Sequence, residues 1–178
     1  MEFYDLSGIW QVILDEGKTM AGPEKGGIPI RLPGTTSAAG IGRKNDARET
    51  GHLTDSCPFE GRAWFSRSFE AKKEWAGLPK LLTLERTRMT RVYIDGDWIG
   101  AQEHLAVPHH YLLQELAPGP HTLTVCVENS GYPTRGGHLT SPDTQSNWNG
   151  ITGEISLKIA EALVMNLRIR PAADLRSI

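Results

Sequence analysis

Apolar residues recur at every second position in a series of short stretches. Trp10, Val12 and Leu14 share one face of residues 6–14, and Ile28, Ile30 and Leu32 alternate with Pro29 and Arg31. Phe65 and Phe69 share a face within residues 61–69. Leu123, Val125 and Val127 do so within 121–129, and Ile155, Leu157 and Ile159 alternate with Ser156 and Lys158. A period of two marks a strand with one buried face. Residues 81–85 and 91–100 also read as strands, and Asp95-Gly96 between Ile94 and Trp98 predicts a hairpin, because both turn residues tolerate positive φ. Pro29 has no amide to donate, so its strand is expected at a sheet edge. A last alternating stretch, Leu163 to Arg170, is expected either to close the sheets or to begin a following domain. No helical period of convincing length appears. Regular short strands separated by turns predict an all-β fold, an antiparallel β-sandwich.

Two stretches break the pattern. Residues 34–61 are aperiodic apart from an expected helical turn near Ser37 to Gly40. They hold Arg43, Lys44, Asn45, Asp46, Arg48, Glu49, His52 and Asp55. A connection that long inside a domain is either a solvated loop or one that reaches a ligand or neighbouring domain. Residues 130–146 form a second long loop that runs into Asp143-Thr-Gln-Ser-Asn-Trp-Asn-Gly150. Here Asp143, Gln145, Asn147 and Asn149 carry directional donors and acceptors on short stems around one large aromatic, Trp148. Such a loop can cap itself, dock another domain, or hydrogen-bond a polyhydroxylated ligand with Trp148 as an apolar floor.

Composition narrows the chemistry. A chain of 178 residues is one domain, or one with the stub of another, and can bury a sizeable core without metal or disulfide. A net charge of −2 gives no electrostatic reason to expect nucleic acid, and no apolar run is long enough to cross a bilayer as a helix. Cys57 and Cys126 allow one disulfide by count. His109 and His110 are adjacent, so on a strand they face opposite ways and cannot share a metal. There is no Cys-x-x-Cys pair, no Gly-x-Ser-x-Gly elbow and no glycine-rich phosphate loop; neither metal nor cofactor is expected. Most of the 21 acidic residues, including Glu2, Asp15, Glu16, Glu74 and Glu161, read as solvated charge. Arg67, between Phe65 and Phe69, is expected in a buried or half-buried ion pair, because an unpaired charge there is costly.

Several segments, in order, resemble the N-terminal sugar-binding domain of glycoside hydrolase family 2, the family of β-galactosidases, β-glucuronidases and β-mannosidases. They are Leu6-x-Gly-x-Trp10, Leu32-Pro-Gly34, Gly61-x-Ala-Trp-Phe-x-Arg-x-Phe69, Val92-Tyr-Ile-Asp-Gly96, Glu128-Asn129, Asn147-Trp-Asn-Gly-Ile151 and Gly153-Glu-Ile-Ser-Leu157. Phe65 stands where the family commonly has Tyr, and Leu112-Leu113 where an Asp usually follows Tyr111. The resemblance implies a galactose-binding-domain-like jelly roll over residues 1–160. Residues 161–178 would then be a last strand or the start of a linker to an immunoglobulin-like domain. It also implies that both catalytic glutamates lie on a later (β/α)8 barrel, so no catalytic residue is expected in this chain. The domain would pack on that barrel and lend loop residues to the rim of a carbohydrate site: His52 and Asp55 from one loop, Asp143, Gln145, Asn147, Trp148 and Asn149 from the other. The compartment implied for such a bacterial protein is periplasmic or secreted if a signal peptide was removed, and cytoplasmic otherwise. Two other readings stay open: a free-standing carbohydrate-binding module, with Trp75, Trp98, Tyr132 and Trp148 as candidate platform aromatics, and a structural sandwich of another carbohydrate-active hydrolase such as an esterase.

Overall fold

A computed structural model describes residues 1–47, 49–113, 115–132, 137, 140–164 and 169–170. Among them the strands are β1 (Glu2–Asp5), β2 (Gly8–Asp15), β3 (Ile28–Leu32), β4 (Gly34–Thr35), β5 (Arg62–Ala71), β6 (Lys80–Leu84), β7 (Met89–Ile94), β8 (Asp97–Gln102), β9 (His109–Leu113), β10 (Gly119–Glu128), β11 (Gly150–Ile151) and β12 (Ile155–Ile159). The only helical element among the described residues is one 3-10 turn, Lys73–Trp75. Six strands form one sheet in the order β3-β2-β5-β10-β7-β8, four form a second in the order β1-β12-β6-β9, and β11 and β4 form a two-stranded sheet, with Ile151 of β11 also bridging Thr87. Every pairing is antiparallel.

The two large sheets face each other across one core. Val12, Phe65, Val92, Leu123 and Val125 of the first meet Leu82, Leu84, Ile155 and Leu157 of the second, all with at most 1% of their surface exposed. Each such side chain contributes about 1.5–3 kcal/mol by leaving water, which is what holds the sheets together. β3 lies at a sheet edge, with Pro29 opposite Gln11, so the missing amide costs no ladder bond. The β7–β8 hairpin turns on Asp95 (φ 53°) and Gly96 (φ 94°), the conformation expected of that dipeptide. The helical turn expected near Ser37 to Gly40 takes the form of a turn over residues 36–40, with the Ala39 amide donating to the Thr35 carbonyl.

Some expectations are corrected. Among the described residues Arg67 makes no ion pair: its Nη1 donates to the Leu6 carbonyl at 2.7 Å and also to that of Ser7. Two carbonyls at the mouth of the sandwich do the work assigned to a carboxylate. Gly8 (φ 130°) leaves room for this, since a Cβ there would sit 3.0 Å from Arg67 Nη1. Asp15 is buried rather than solvated, and Glu2, though its side chain is partly exposed, is paired. Glu2 accepts from Lys72 Nζ at 2.6 Å and Trp75 Nε1 at 2.8 Å. Asp15, 6% exposed, accepts from the Thr19 and Met20 amides. Cys57 and Cys126 are both free thiols. β1 and β9 join the strands expected from periodicity. Of the late stretch, Leu163 and Val164 form no strand, and residues 165–168 lie outside the described residues.

Candidate functional site

The two aperiodic loops meet at one end of the sandwich. β11 pairs with β4, Gly150 opposite Thr35 and Ile151 opposite Gly34. Gly150 makes this possible. Its φ is 147°, and a Cβ there would lie 2.2 Å from the Gly34 carbonyl oxygen, so only glycine lets the strands approach. Thr87 Oγ1 donates to the Gly150 carbonyl at 2.9 Å, and the Thr152 amide donates to the Arg86 carbonyl at 2.9 Å. The 143–149 loop is therefore held between the 34–61 loop and the 85–88 connection.

Buried asparagines fasten its inner side. Asn149, 1% exposed, donates from Nδ2 to the Val127 carbonyl at 3.0 Å, while its own carbonyl accepts from the Thr36 amide at 2.9 Å. Asn129 donates to the Phe59 carbonyl at 2.7 Å and the Asn147 carbonyl at 3.1 Å, and accepts from the Gly61 amide. On the outer side, His52 Nδ1 lies 3.0 Å from Asp143 Oδ1, and the Leu53 amide donates to the Pro142 carbonyl at 2.8 Å. The two loops singled out in the sequence are joined by this pair, both of whose side chains are exposed. Asn147 and Asp143 are exposed, Gln145 and Trp148 half-buried. Asp55 is half-buried in the 34–61 loop, between Thr54 and Ser56, which bond to Asn45.

Arg88, which the sequence reading did not select, stands at the centre. Its guanidinium carbon lies 4.4 Å from the centre of the Trp148 ring, and Trp148 Nε1 donates to Gln145 Oε1 at 3.3 Å. One face of the indole is thus covered by a cation, a contact worth about 0.5–2 kcal/mol. Arg88 is 4% exposed, and its Nε is buried without a hydrogen-bond partner. Burial lowers its pKa, and Tyr132 opposes that shift. Burial likewise pushes the Tyr132 hydroxyl up to about 12. The sequence held a signal for this residue: alternation run back from Ile94 and Val92 through Thr90 places Arg88 on the buried face.

Arg88 divides two clefts. One, of about 270 Å³, is lined by Glu60, Tyr132, Pro142, Gln145 and Asn147. The other, of about 360 Å³, is lined by Thr35, Arg86, Gln145, Trp148 and Thr152. Arg86 holds the left-handed conformation, φ 52°, unusual for a non-glycine residue and a frequent mark of functional segments. Of the four candidate platform aromatics, Trp75 (1%) and Tyr132 (8%) are buried, Trp148 is half-buried, and only Trp98 (55%) is exposed. They form no shared flat surface.

No protein-family model matches the chain, and no curated protein matches its sequence. Solved structures do resemble it. A glycoside hydrolase family 2 β-galacturonidase from Eisenbergiella tayi, bound to galacturonate, superposes with a TM-score of 0.59 at 22% identity over 88% of this chain and 24% of its own. The Ruminococcus gnavus β-glucuronidase superposes at 0.66, 14% identity, 88% and 28%. A β-glucuronidase from an uncultured Clostridium species gives 0.60, 18%, 89% and 29%. The chain has the fold of one part of these glycosidases and spans about a quarter of their length.

Proposed function

We propose that residues 1–160 are the non-catalytic sugar-binding sandwich, a galactose-binding-domain-like jelly roll, of a glycoside hydrolase family 2 enzyme that hydrolyses O-glycosidic bonds. Residues 161–178 lead toward a following immunoglobulin-like domain, and the catalytic pair of glutamates lies on a barrel beyond it. The observation that supports this most is the lopsided superposition. Nearly nine-tenths of this chain is matched by about a quarter of three enzymes that all cleave β-glycosides of sugar acids by name.

In this reading the carbohydrate partner is met at the end of the sandwich where β11 and β4 pair. Asp143, Gln145 and Asn147, with His52 behind Asp143, supply hydroxyl-binding groups at the rim. Trp148, with one ring face covered by Arg88 and its Nε1 bonded to Gln145, does not offer both ring faces to a sugar. Hydrolysis with retention needs two carboxyl groups about 5 Å apart on a rigid frame, which this domain leaves to the barrel. To test it, the 178-residue chain and the full reading frame that contains it are assayed on a panel of aryl β-glycosides. Turnover is expected from the longer product alone. Turnover by the chain itself, blocked by an active-site-directed glycosidase inhibitor, would overturn the proposal.

A further inference from the structure

We propose that the cleft beside Arg88, walled by Arg86, Trp148, Gln145, Thr35 and Thr152, binds the carboxylate of an acidic sugar. The inference rests on the carbohydrate reading above and specifies the ligand's charge.

The first support is the state of Arg88. A guanidinium 96% removed from solvent is strongly disfavoured unless something compensates its charge. Buried arginines normally meet a carboxylate or a set of carbonyls. Arg67 in this same chain shows the ordinary solution, with two backbone carbonyls on one Nη. Among the described residues no carboxylate or carbonyl is paired with Arg88; the Trp148 face covers it, Tyr132 lies near it, and Nε is left without an acceptor. An uncompensated buried cation beside an open cleft is a site prepared for an anion.

The second support is the composition of the cleft. Arg86 and Arg88 both line it, and no acidic side chain does among the described residues. Its other polar groups are neutral: the Gln145 amide and the threonine hydroxyls. The neighbouring cleft across Arg88 differs, because Glu60 lines it. The cleft lined by both arginines is thus the one without a carboxylate in its wall among the described residues. A volume of about 360 Å³ matches small-ligand clefts and suits a single sugar ring.

The third support is geometric commitment. Arg86 is held in a left-handed conformation by the Thr152 amide and hydroxyl, both donating to its carbonyl at 2.9 and 3.1 Å. Glu85 and Gly153 close the same turn, the Gly153 amide donating to the Glu85 carbonyl at 3.0 Å. Two arginines separated by one residue thus reach one cleft, although Arg86 is exposed and Arg88 buried. A guanidinium binds a carboxylate through paired N–H donors, which an uncharged hydroxymethyl group cannot replace.

The test uses the 178-residue chain with four probes: sodium glucuronate, sodium galacturonate, glucose and galactose. Binding is measured by calorimetry, and the Arg88 Nε–H resonance is followed by 1H–15N correlation. At least one uronate should bind about tenfold or more tightly than its neutral counterpart, the difference one charge-assisted pair supports. It should shift the Arg88 resonance. Arg88→Met should abolish the preference while leaving the melting temperature unchanged or raised, because an unpaired buried charge has been removed. Arg86→Asn, whose new residue tolerates the left-handed turn, should weaken uronate binding and spare the fold. Equal binding of acidic and neutral sugars, insensitive to Arg88→Met, overturns the inference while leaving the carbohydrate reading intact. Silence of both uronates also overturns it, and assigns the anion to an acidic side chain of an adjoining domain. A large loss of stability in Arg88→Met overturns it too, and makes Arg88 a post for Trp148. None of these outcomes depends on the hydrolysis assay that tests the carbohydrate reading.

Discussion

Replacing Gly150 by alanine should be among the most damaging single-methyl additions to this chain. The residue sits at φ 147°, where an L side chain is strained by about 1–3 kcal/mol. The new Cβ would also lie 2.2 Å from the Gly34 carbonyl oxygen and 2.9 Å from Thr35 Cα. Both neighbours are backbone, so no side chain can swing away, and forcing them apart adds about 1–3 kcal/mol more. The sum is about 2–6 kcal/mol. For a chain of this length each kcal/mol moves the midpoint by about 2–4 °C, so a fall on the order of 10 °C is expected. Gly96→Ala is the matched control: φ is 94°, but nothing lies within 4 Å of the added atom. That variant should suffer only the left-handed cost of about 1–2 kcal/mol. Urea denaturation followed by tryptophan fluorescence measures both. If Gly150→Ala is no more destabilising than Gly96→Ala, the close β4–β11 approach, and with it the account of how the 143–149 loop is held, is wrong.

Three further outcomes are expected. Glu128 receives Lys18, Arg62 and Arg91 at 2.7, 3.1 and 2.8 Å on the outer face of the six-stranded sheet. Burial raises its pKa, but those donors prevail and hold it at about 2. A depressed pKa gives stability that is present above the ordinary 4.5 and lost as pH falls toward about 2. Glu128→Gln should therefore cost about 1–3 kcal/mol at neutral pH, and the gap to the parent should close below pH 4.5 in acid titrations; a gap that persists to pH 2 would refute it. Burial lowers the pKa of His109, whose Nδ1 lies 2.5 Å from Thr90 Oγ1 and whose Nε2 lies 2.8 Å from the His104 carbonyl. Burial also works against the charge of His121, but the Ala117 carbonyl and Asp95 outweigh it and raise its pKa. Imidazole NMR titration should thus find His109 below 6.5 and His121 above it, and the reverse order would contradict the geometry. Burial pushes the Cys126 thiol up to about 11, while Cys57 is half-buried in a loop. A thiol reagent should modify one cysteine in the native protein and two in denaturant; a native count of zero or two would overturn that.

The sandwich was legible in the sequence wherever a strand buries one face. β2, β10 and β12 alternate as Trp10–Val12, Leu123–Val127 and Ile155–Ile159 do because the other face meets water or polar neighbours. β1 and β9 were less legible. Both are edge strands, and each places one large apolar residue in solvent, Phe3 at 54% and Leu112 at 56% exposure, which blurs the alternation. Arg67 was expected to find a carboxylate because sequence gives side chains but not where backbone carbonyls converge. The candidate loops were visible as a break in period and a cluster of short polar residues. Their meeting through His52 and Asp143 joins residues 91 positions apart, a separation no local pattern encodes. Arg88 escaped notice because an arginine between two strands reads as solvated. Its burial depends on Trp148, sixty residues later, folding over it.

The most direct test of the central claim is to read the gene past the codon for Ile178. Roughly one further β-sandwich of about a hundred residues is expected, followed by a barrel-sized run of alternating strands and helices with glutamates at two strand ends. A stop codon soon after Ile178, or a downstream region of another architecture, would contradict the assignment to a family 2 glycosidase.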